Sequence, residues 1–247
     1  IEALVGSVRL ATSSGLAGPS PERMKRLCHQ TWTEAKPVAI GDEVDRYLRG
    51  RGINQGAYPR TLRFHPSLGY YEKQPGQKRS KLIASYAAMI ACVQGPDGHA
   101  VTLHRTYLRD GRKALGDQSK KLLSAGINGA AVRLDEATDE LALTEGIETA
   151  LAVRLRTGKP TWAAINCGNL ERIWIPEQVQ RVCIYADNDS DAEFAGQASA
   201  YILAQRLVRE AKKAGVPRTV EVFVPRQAGT DWADIWLASL AKDKRAA

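Results

Sequence analysis

Leu143-Thr144-Glu145-Gly146-Ile147-Glu148-Thr149-Ala150-Leu151-Ala152, LTEGIETALA, joins the end of a short apolar run to the start of a helical pattern, with a bare carboxylate and a glycine at the junction. Residues 141–144 before it read as a strand, and Ile147, Ala150, Leu151 and Leu155 after it recur at helical spacing. The alternation continues downstream. Residues 161–165 and 181–186 read as strands. Residues 192–214 read as a helix, with Gly196, Ala200, Leu203, Leu207 and Ala211 on one face and a stop at Gly215. A last strand over 219–224 and a last helix over 232–240 follow. Such alternation predicts a parallel sheet covered by helices on both faces.

In an open parallel sheet, ligands gather at the carboxyl ends of the strands. Glu145 stands at that end of the first strand. Asp187 and Asp189 stand there in Cys183-Ile184-Tyr185-Ala186-Asp187-Asn188-Asp189, and Asp231 and Asp234 follow the last strand in Gly229-Thr230-Asp231-Trp232-Ala233-Asp234. One Asp after a strand is ordinary turn or cap chemistry. Three strands delivering carboxylates to one edge would set like charges against each other, and a hard cation with oxygen ligands resolves that conflict. Mg²⁺ or Mn²⁺ is expected at that edge, with Asp231 a candidate metal ligand on the last connection. Asp231 also reads as the cap of the last helix, since it directly precedes the apolar pattern.

Upstream the pattern differs. Ser13-Ser14-Gly15 and Gly18-Pro19 form a loose lead-in, and Ser20-Pro21 reads as an N-cap with proline at the first helical position. That helix carries Met24, Leu27, Cys28, Thr31 and Ala35 on one face. A second short helix over 42–48 stops at Gly50. Strands over 87–93 and 100–107 flank the turn Gly95-Pro96-Asp97-Gly98. In the second of them Leu103, Arg105 and Tyr107 share a face opposite Thr102, His104 and Thr106. The fold class expected is thus an α/β parallel-sheet domain, residues 139–247, preceded by a basic α+β domain with an antiparallel element, residues 1–138.

The charge is unevenly placed. Residues 1–140 hold 21 Lys and Arg against 14 Asp and Glu, whereas residues 141–247 hold 14 against 13. Between Arg46 and Arg133 the count is 16 basic to 4 acidic. This surplus points to a polyanionic partner, nucleic acid first. Arg46, Arg49 and Arg51 could track a nucleic-acid backbone or close the short helix's C-terminus. Arg105 and His104 are candidate phosphate contacts or a strand-surface pair. Lys120 and Lys121 could hold phosphate or face solvent. Tyr70 and Tyr71, near Lys73, Lys78 and Arg79, could stack bases, and Gly126-Ile127-Asn128-Gly129 could cradle a phosphate.

Cys28, Cys92, Cys167 and Cys183 are scattered with no C-x-x-C pair, against a zinc site or a disulfide framework. No run of about 18 apolar residues and no signal-like N-terminus occur, so the reading is cytoplasmic with no membrane partner. Opening on Ile1, the chain is expected to be a piece of a longer protein.

The strand-end Glu-Gly and the strand-end D-x-D over about 140–240 resemble a Toprim domain. Arg46-Tyr47-Leu48-Arg49-Gly50-Arg51-Gly52-Ile53, Leu62-Arg63-Phe64-His65-Pro66, His104-Arg105-Thr106-Tyr107-Leu108 and the stretch from Lys120-Lys121 to Ala131-Val132-Arg133-Leu134 extend the likeness. Together they resemble the catalytic core of phage- and plasmid-type DNA primases related to the bacterial replicative enzymes, over about residues 20–240. The resemblance implies a nucleotidyltransferase that makes RNA primers from ribonucleoside triphosphates on a single-stranded DNA template, with a replicative helicase as partner. It implies Glu145, Asp187 and Asp189 as catalytic metal ligands. Template and nucleotide would be held by Arg49, Arg51, Arg63, His104, Arg105, Lys120 and Lys121. This sequence departs from the bacterial pattern: the Asp usual four residues after the motif Glu is Thr149 here, and the nearest acid is Glu148. The spacing after the D-x-D also differs, and Asp191 there is a candidate extra ligand. The alternatives are a Toprim nuclease using the same acids and a noncatalytic single-strand-binding module.

Overall fold

The computed structural model describes residues 20–246 apart from 74, 78, 79 and 124–126. The lead-in at Ser13-Ser14-Gly15 and Gly18-Pro19, the cations Lys78 and Arg79, and Gly126 lie outside the described residues.

In chain order the elements are α1 (Pro21–Glu34), β1 (Lys36–Pro37), α2 (Glu43–Gly50), β2 (Leu62–Lys73), β3 (Ser80–Gln94), β4 (Ala100–Arg109), β5 (Arg112–Lys113), a 3₁₀ turn (Gly116–Ser119) and β6 (Lys120–Leu122). Then come β7 (Val132–Arg133), β8 (Glu140–Thr144), α3 (Ile147–Thr157), β9 (Thr161–Ala163), α4 (Cys167–Leu170), β10 (Arg181–Tyr185), α5 (Ala195–Ala214), β11 (Thr219–Phe223) and α6 (Trp232–Ala246).

Local chemistry sets the helix starts. The Ser20 hydroxyl accepts from the Arg23 amide and Asp42 accepts from the Asp45 amide, so α1 and α2 begin with satisfied donors. Gly158 and Gly215 close α3 and α5 in the left-handed conformation.

The first lobe is an antiparallel sheet in the order β1-β2-β3-β4-β5, with β6 also paired to β4. One face buries Tyr70, Ala88, Ile90, Leu103 and Tyr107 with Cys28 and Trp32 of α1. On the opposite face of β4, Thr102, His104 and Thr106 are also buried. The second lobe is a sheet in the order β11-β10-β8-β9-β7, parallel except where β7 meets β9. Leu203 and Leu207 of α5 pack on one face over Leu141, Leu143, Val182 and Ile184. On the other face Val153 of α3 and Trp232 of α6 pack with Ala142, Cys183 and Tyr185. Both faces are therefore covered, as a parallel sheet requires.

The lobes share a core. Val44, Tyr47 and Leu48 of α2 pack in one cluster with Ile147, Ala150 and Leu151 of α3 and with Met89, Ala91 and Val132. Gln94 and Ala131 exchange backbone hydrogen bonds of 2.8 and 2.9 Å, stitching one sheet to the other. The second sheet already begins at β7, so a division at 138/139 leaves one of its strands on the N-terminal side. Two-residue strands carry no readable period, which is why β7 does not show in the sequence.

Candidate active site

From the central strand β8 the chain goes to β9 on one side and then returns to β10 on the other. The connections leaving β8 and β10 therefore part to opposite faces, opening a crevice at the carboxyl edge between them. Thr144 pairs with Tyr185, so the residues just beyond, Glu145 and Asp187, start out side by side at that crevice.

Four carboxylates meet there. Asp187 is pushed up to about 7 by burial and then by the charges of Asp231, Glu145 and Asp189. Its Oδ1 is buried with no hydrogen-bond partner among the described residues. Glu145 is raised by burial, with Asp189's charge adding to the rise and a hydrogen bond from Cys167 Sγ at 2.7 Å opposing it. The Cys167 thiol is in turn pushed up to about 12 by burial and by that carboxylate. Asp189 Oδ2 accepts the Gly196 amide in the first turn of α5 at 2.9 Å. A Cβ at Gly196 would meet that oxygen at 2.8 Å and the Asp187 carbonyl at 3.0 Å, so only glycine lets the helix approach. Asn188, between the two aspartates, is turned away: its Nδ2 donates to the Pro225 carbonyl at 2.7 Å and its Oδ1 accepts from Gln197. Asp231 divides its oxygens, Oδ1 accepting the Asp234 amide at 2.8 Å as a helix cap and Oδ2 accepting from Thr149 Oγ1 at 3.2 Å. Asp234 closes the box by accepting the Asp231 amide and is exposed. Asp191 is exposed and lies against Gly229.

These residues fit a hard divalent cation. An orphaned buried carboxylate oxygen among mutually repelling acids is a place where positive charge is missing. Among the described residues no group of three or more His, Cys, Asp or Glu side chains is gathered closely enough to hold a metal ion. The fit rests on the orphaned Asp187 oxygen and the acids around it; Mg²⁺ needs only one or two carboxylates, with waters and substrate phosphates completing its shell.

Across from the acids lies a basic cleft. Lys120 Nζ donates to Glu148 Oε2 at 2.9 Å, and its charge reaches both Glu145 and Asp187. An open cavity of about 400 Å³ is lined by Lys73, Lys120 and Lys121 with Glu72, Gln118, Tyr70 and Tyr71. Lys121 donates to the Tyr71 carbonyl at 2.9 Å and sits 3.6 Å over the Tyr70 ring. Tyr70 itself is buried among Tyr86 and Tyr107, so it packs instead of offering a free face, whereas Tyr71 is exposed. His104 is buried beside Lys120 and falls to about 4, burial being the larger cause and the Lys120 charge the next.

Arg46, Arg49, Arg63 and Arg105 are engaged elsewhere. Arg63 donates to the carbonyls of Trp32 and Ala35 and stacks 4.2 Å from the Trp32 ring, pinning α1 to β2. Arg49 Nε bonds both oxygens of Asp45 at 2.9 Å, and Arg46 pairs with Glu43. Arg105 donates to the Tyr107 hydroxyl and the Leu122 carbonyl. Arg51 differs: it follows α2 with its charge near the Tyr47 hydroxyl that bonds Glu148, and its buried Nε has no hydrogen-bond partner among the described residues. The structure thus brings Lys120 to the acidic edge, buries His104 behind it, and leaves Arg49, Arg63 and Arg105 in structural contacts. In the Gly126–Gly129 segment, Gly129 donates to Asn169 Oδ1 at 2.7 Å, and a Cβ there would strike the Arg172 carbonyl at 2.7 Å; close packing accounts for that glycine. Tyr47 and Cys167 are not marked as site residues by the sequence, whereas Thr149 is, by its place four residues after Glu145. Tyr47 and Cys167 reach the edge through tertiary contact alone, and no spacing signals either.

Residues 140–242 match the Toprim domain model, and this half of the chain is a Toprim domain. Residues 22–134 match a domain of unknown function, DUF7146. The chain as a whole has the fold of the DnaG-type primase catalytic core. It is similar to a DNA primase domain from Pseudomonas aeruginosa at 13% identity, with a TM-score of 0.57 and coverage of 90% of this chain and 77% of that one. A DnaG primase catalytic domain bound to single-stranded DNA matches at 11% identity and a TM-score of 0.55, over 91% and 79% of the two chains. The zinc-binding and RNA polymerase domains of the Aquifex aeolicus primase match at 14% identity and 0.52, over 91% and 61%. No curated protein matches the sequence.

Proposed function

We propose that this chain is a primase core that joins ribonucleotides on single-stranded DNA. The observation that carries the proposal is the convergence of Glu145, Asp187, Asp189 and Asp231 on one strand edge, with the Lys120 cavity opening beside it. Joining nucleotides is attack of a 3′-hydroxyl on an α-phosphate with pyrophosphate leaving, and its catalysis is mostly positioning and charge neutralisation. A divalent cation, Mg²⁺ or Mn²⁺, would supply Lewis acidity toward the hydroxyl and screening of the triphosphate. Glu145, Asp187 and Asp189 would hold it, with Asp231 through the oxygen not given to its helix cap. Lys120 and Lys121 supply positive charge on the cavity side, where a triphosphate needs it, and exposed Tyr71 supplies a face for a base. A primase catalytic domain of this fold has been solved bound to single-stranded DNA, which supports the same partner here.

The test is substitution of the edge. Glu145→Ala, Asp187→Ala and Asp189→Ala should each abolish nucleotide joining at saturating metal while binding of single-stranded DNA persists. Near-normal synthesis by any one of them removes that residue from the site. The nuclease reading uses the same acids and is separated by product, a shortened strand in place of a lengthened one.

A further inference from the structure

Glu148 is neither a spare metal ligand nor an ordinary helix residue. It lies in the first turn of α3 and is 3% exposed, with both carboxylate oxygens engaged by the other lobe. Tyr47 of α2 donates to Oε1 at 2.8 Å, and Lys120 of β6 donates to Oε2 at 2.9 Å. The neighbouring Thr149 faces Asp231 instead, so the acid absent at 149 is not replaced by Glu148. Lys120 keeps 34% of its side chain exposed, and an ammonium has three donors, of which Glu148 takes one. A buried ion pair adds little net stability compared with apolar packing, so a pair that leaves its cation open to a cavity calls for another role.

Resting on the primase reading above, we propose that Glu148 is a positioning residue, holding the Lys120 ammonium at the seam between the cavity and the acidic edge so that its remaining donors meet the triphosphate of the incoming nucleotide. Tyr47 fixes the carboxylate, the carboxylate fixes the ammonium, and the two lobes are set in register by the same contact.

The experiment uses the full chain and two readouts. In primer synthesis, Glu148→Gln keeps the side chain's shape and an acceptor for Tyr47 while removing the charge. It should raise KM for nucleotide by about tenfold, the scale of one charge-assisted hydrogen bond, with kcat within about twofold, and Glu148→Asp should recover part of the loss. In a Lys120→Met background, Glu148→Gln should change KM no further. The second readout is residue-resolved amine acylation, with ATP as the probe. Lys120 should label faster in Glu148→Gln than in the parent, and ATP should protect it less. Unchanged KM and labelling, or an additive loss in the Lys120→Met background, overturns the proposal. A parent chain that joins no nucleotides counts against the primase reading, and the ATP-protection comparison still decides whether Glu148 positions Lys120.

Discussion

Asp187 carries a proton at a pH where an exposed aspartate has none, because burial and three neighbouring acids disfavour its charge. A carboxyl whose folded value is raised makes the chain less stable as pH climbs from about 4 to about 7, since the folded state binds the extra proton. The cost persists above that window and reaches up to about 4 kcal/mol at pH 8. Asp187→Asn should therefore raise the thermal stability of the metal-free chain at pH 8 and change it little at pH 4. Added Mg²⁺ or Mn²⁺, which needs the deprotonated acid, should stabilise the parent more at pH 8 than at pH 6; thermal unfolding across pH, with and without metal, measures both. Asp231→Asn should keep its stability, because Asn caps as well as Asp, yet lose synthesis in a Mn²⁺ titration; full activity at low metal reduces Asp231 to a cap. Glu145, Asp187 and Asp189 were legible because they follow short apolar runs that can be recognised by themselves. The Lys120–Glu148 pair was not, since 28 positions separate its members and only the packing of two lobes joins them.

Helix α6 shows how an element locks the acidic half to the basic half. It packs along α3, and its Trp236 indole donates to the Gly52 carbonyl at 2.9 Å. Gly52 has a φ of +76°, and a Cβ there would meet Leu240 at 2.8 Å and Leu237 at 3.1 Å. Gly52→Ala should destabilise the chain by about 1–3 kcal/mol through backbone strain and overpacking, read as a lower urea midpoint. A midpoint unchanged from the parent would show that α6 yields freely at this contact. At this scale the sequence reading located α1, α2, α3 and the four parallel strands within a few residues, because caps, glycine stops and period survive in the chain. It missed α4, one turn long and capped by Asn166. It also started the long helix too early: Glu193 and Phe194 adopt left-handed φ of 62° and 60° just before α5 begins.

Across the whole molecule, the positive surplus lies in the first lobe and the acids lie on the second, and the shared core holds them face to face. The two-part organisation could be read from the change of pattern near residue 140, but the fusion of the parts could not, because α2 and α3 meet through residues that each look like ordinary core. Binding of single-stranded DNA should weaken with salt, with a log-log slope of about −0.7 per phosphate neutralised. Removing Lys73 and Lys121, which line the cavity, should make the slope shallower by about that amount for each phosphate left without its lysine. Arg63→Ala should instead lower stability and leave the slope unchanged, because its guanidinium is spent on Trp32. A flattened slope in Arg63→Ala would place DNA against α1. The most direct measurement of the central claim is incubation of the chain with single-stranded DNA, labelled ribonucleoside triphosphates and Mg²⁺ or Mn²⁺, resolving the products by length. Template-dependent dinucleotides and longer RNA products, absent with Asp189→Ala, are the predicted result. A shortened template, or DNA binding with no product under either metal, would contradict it.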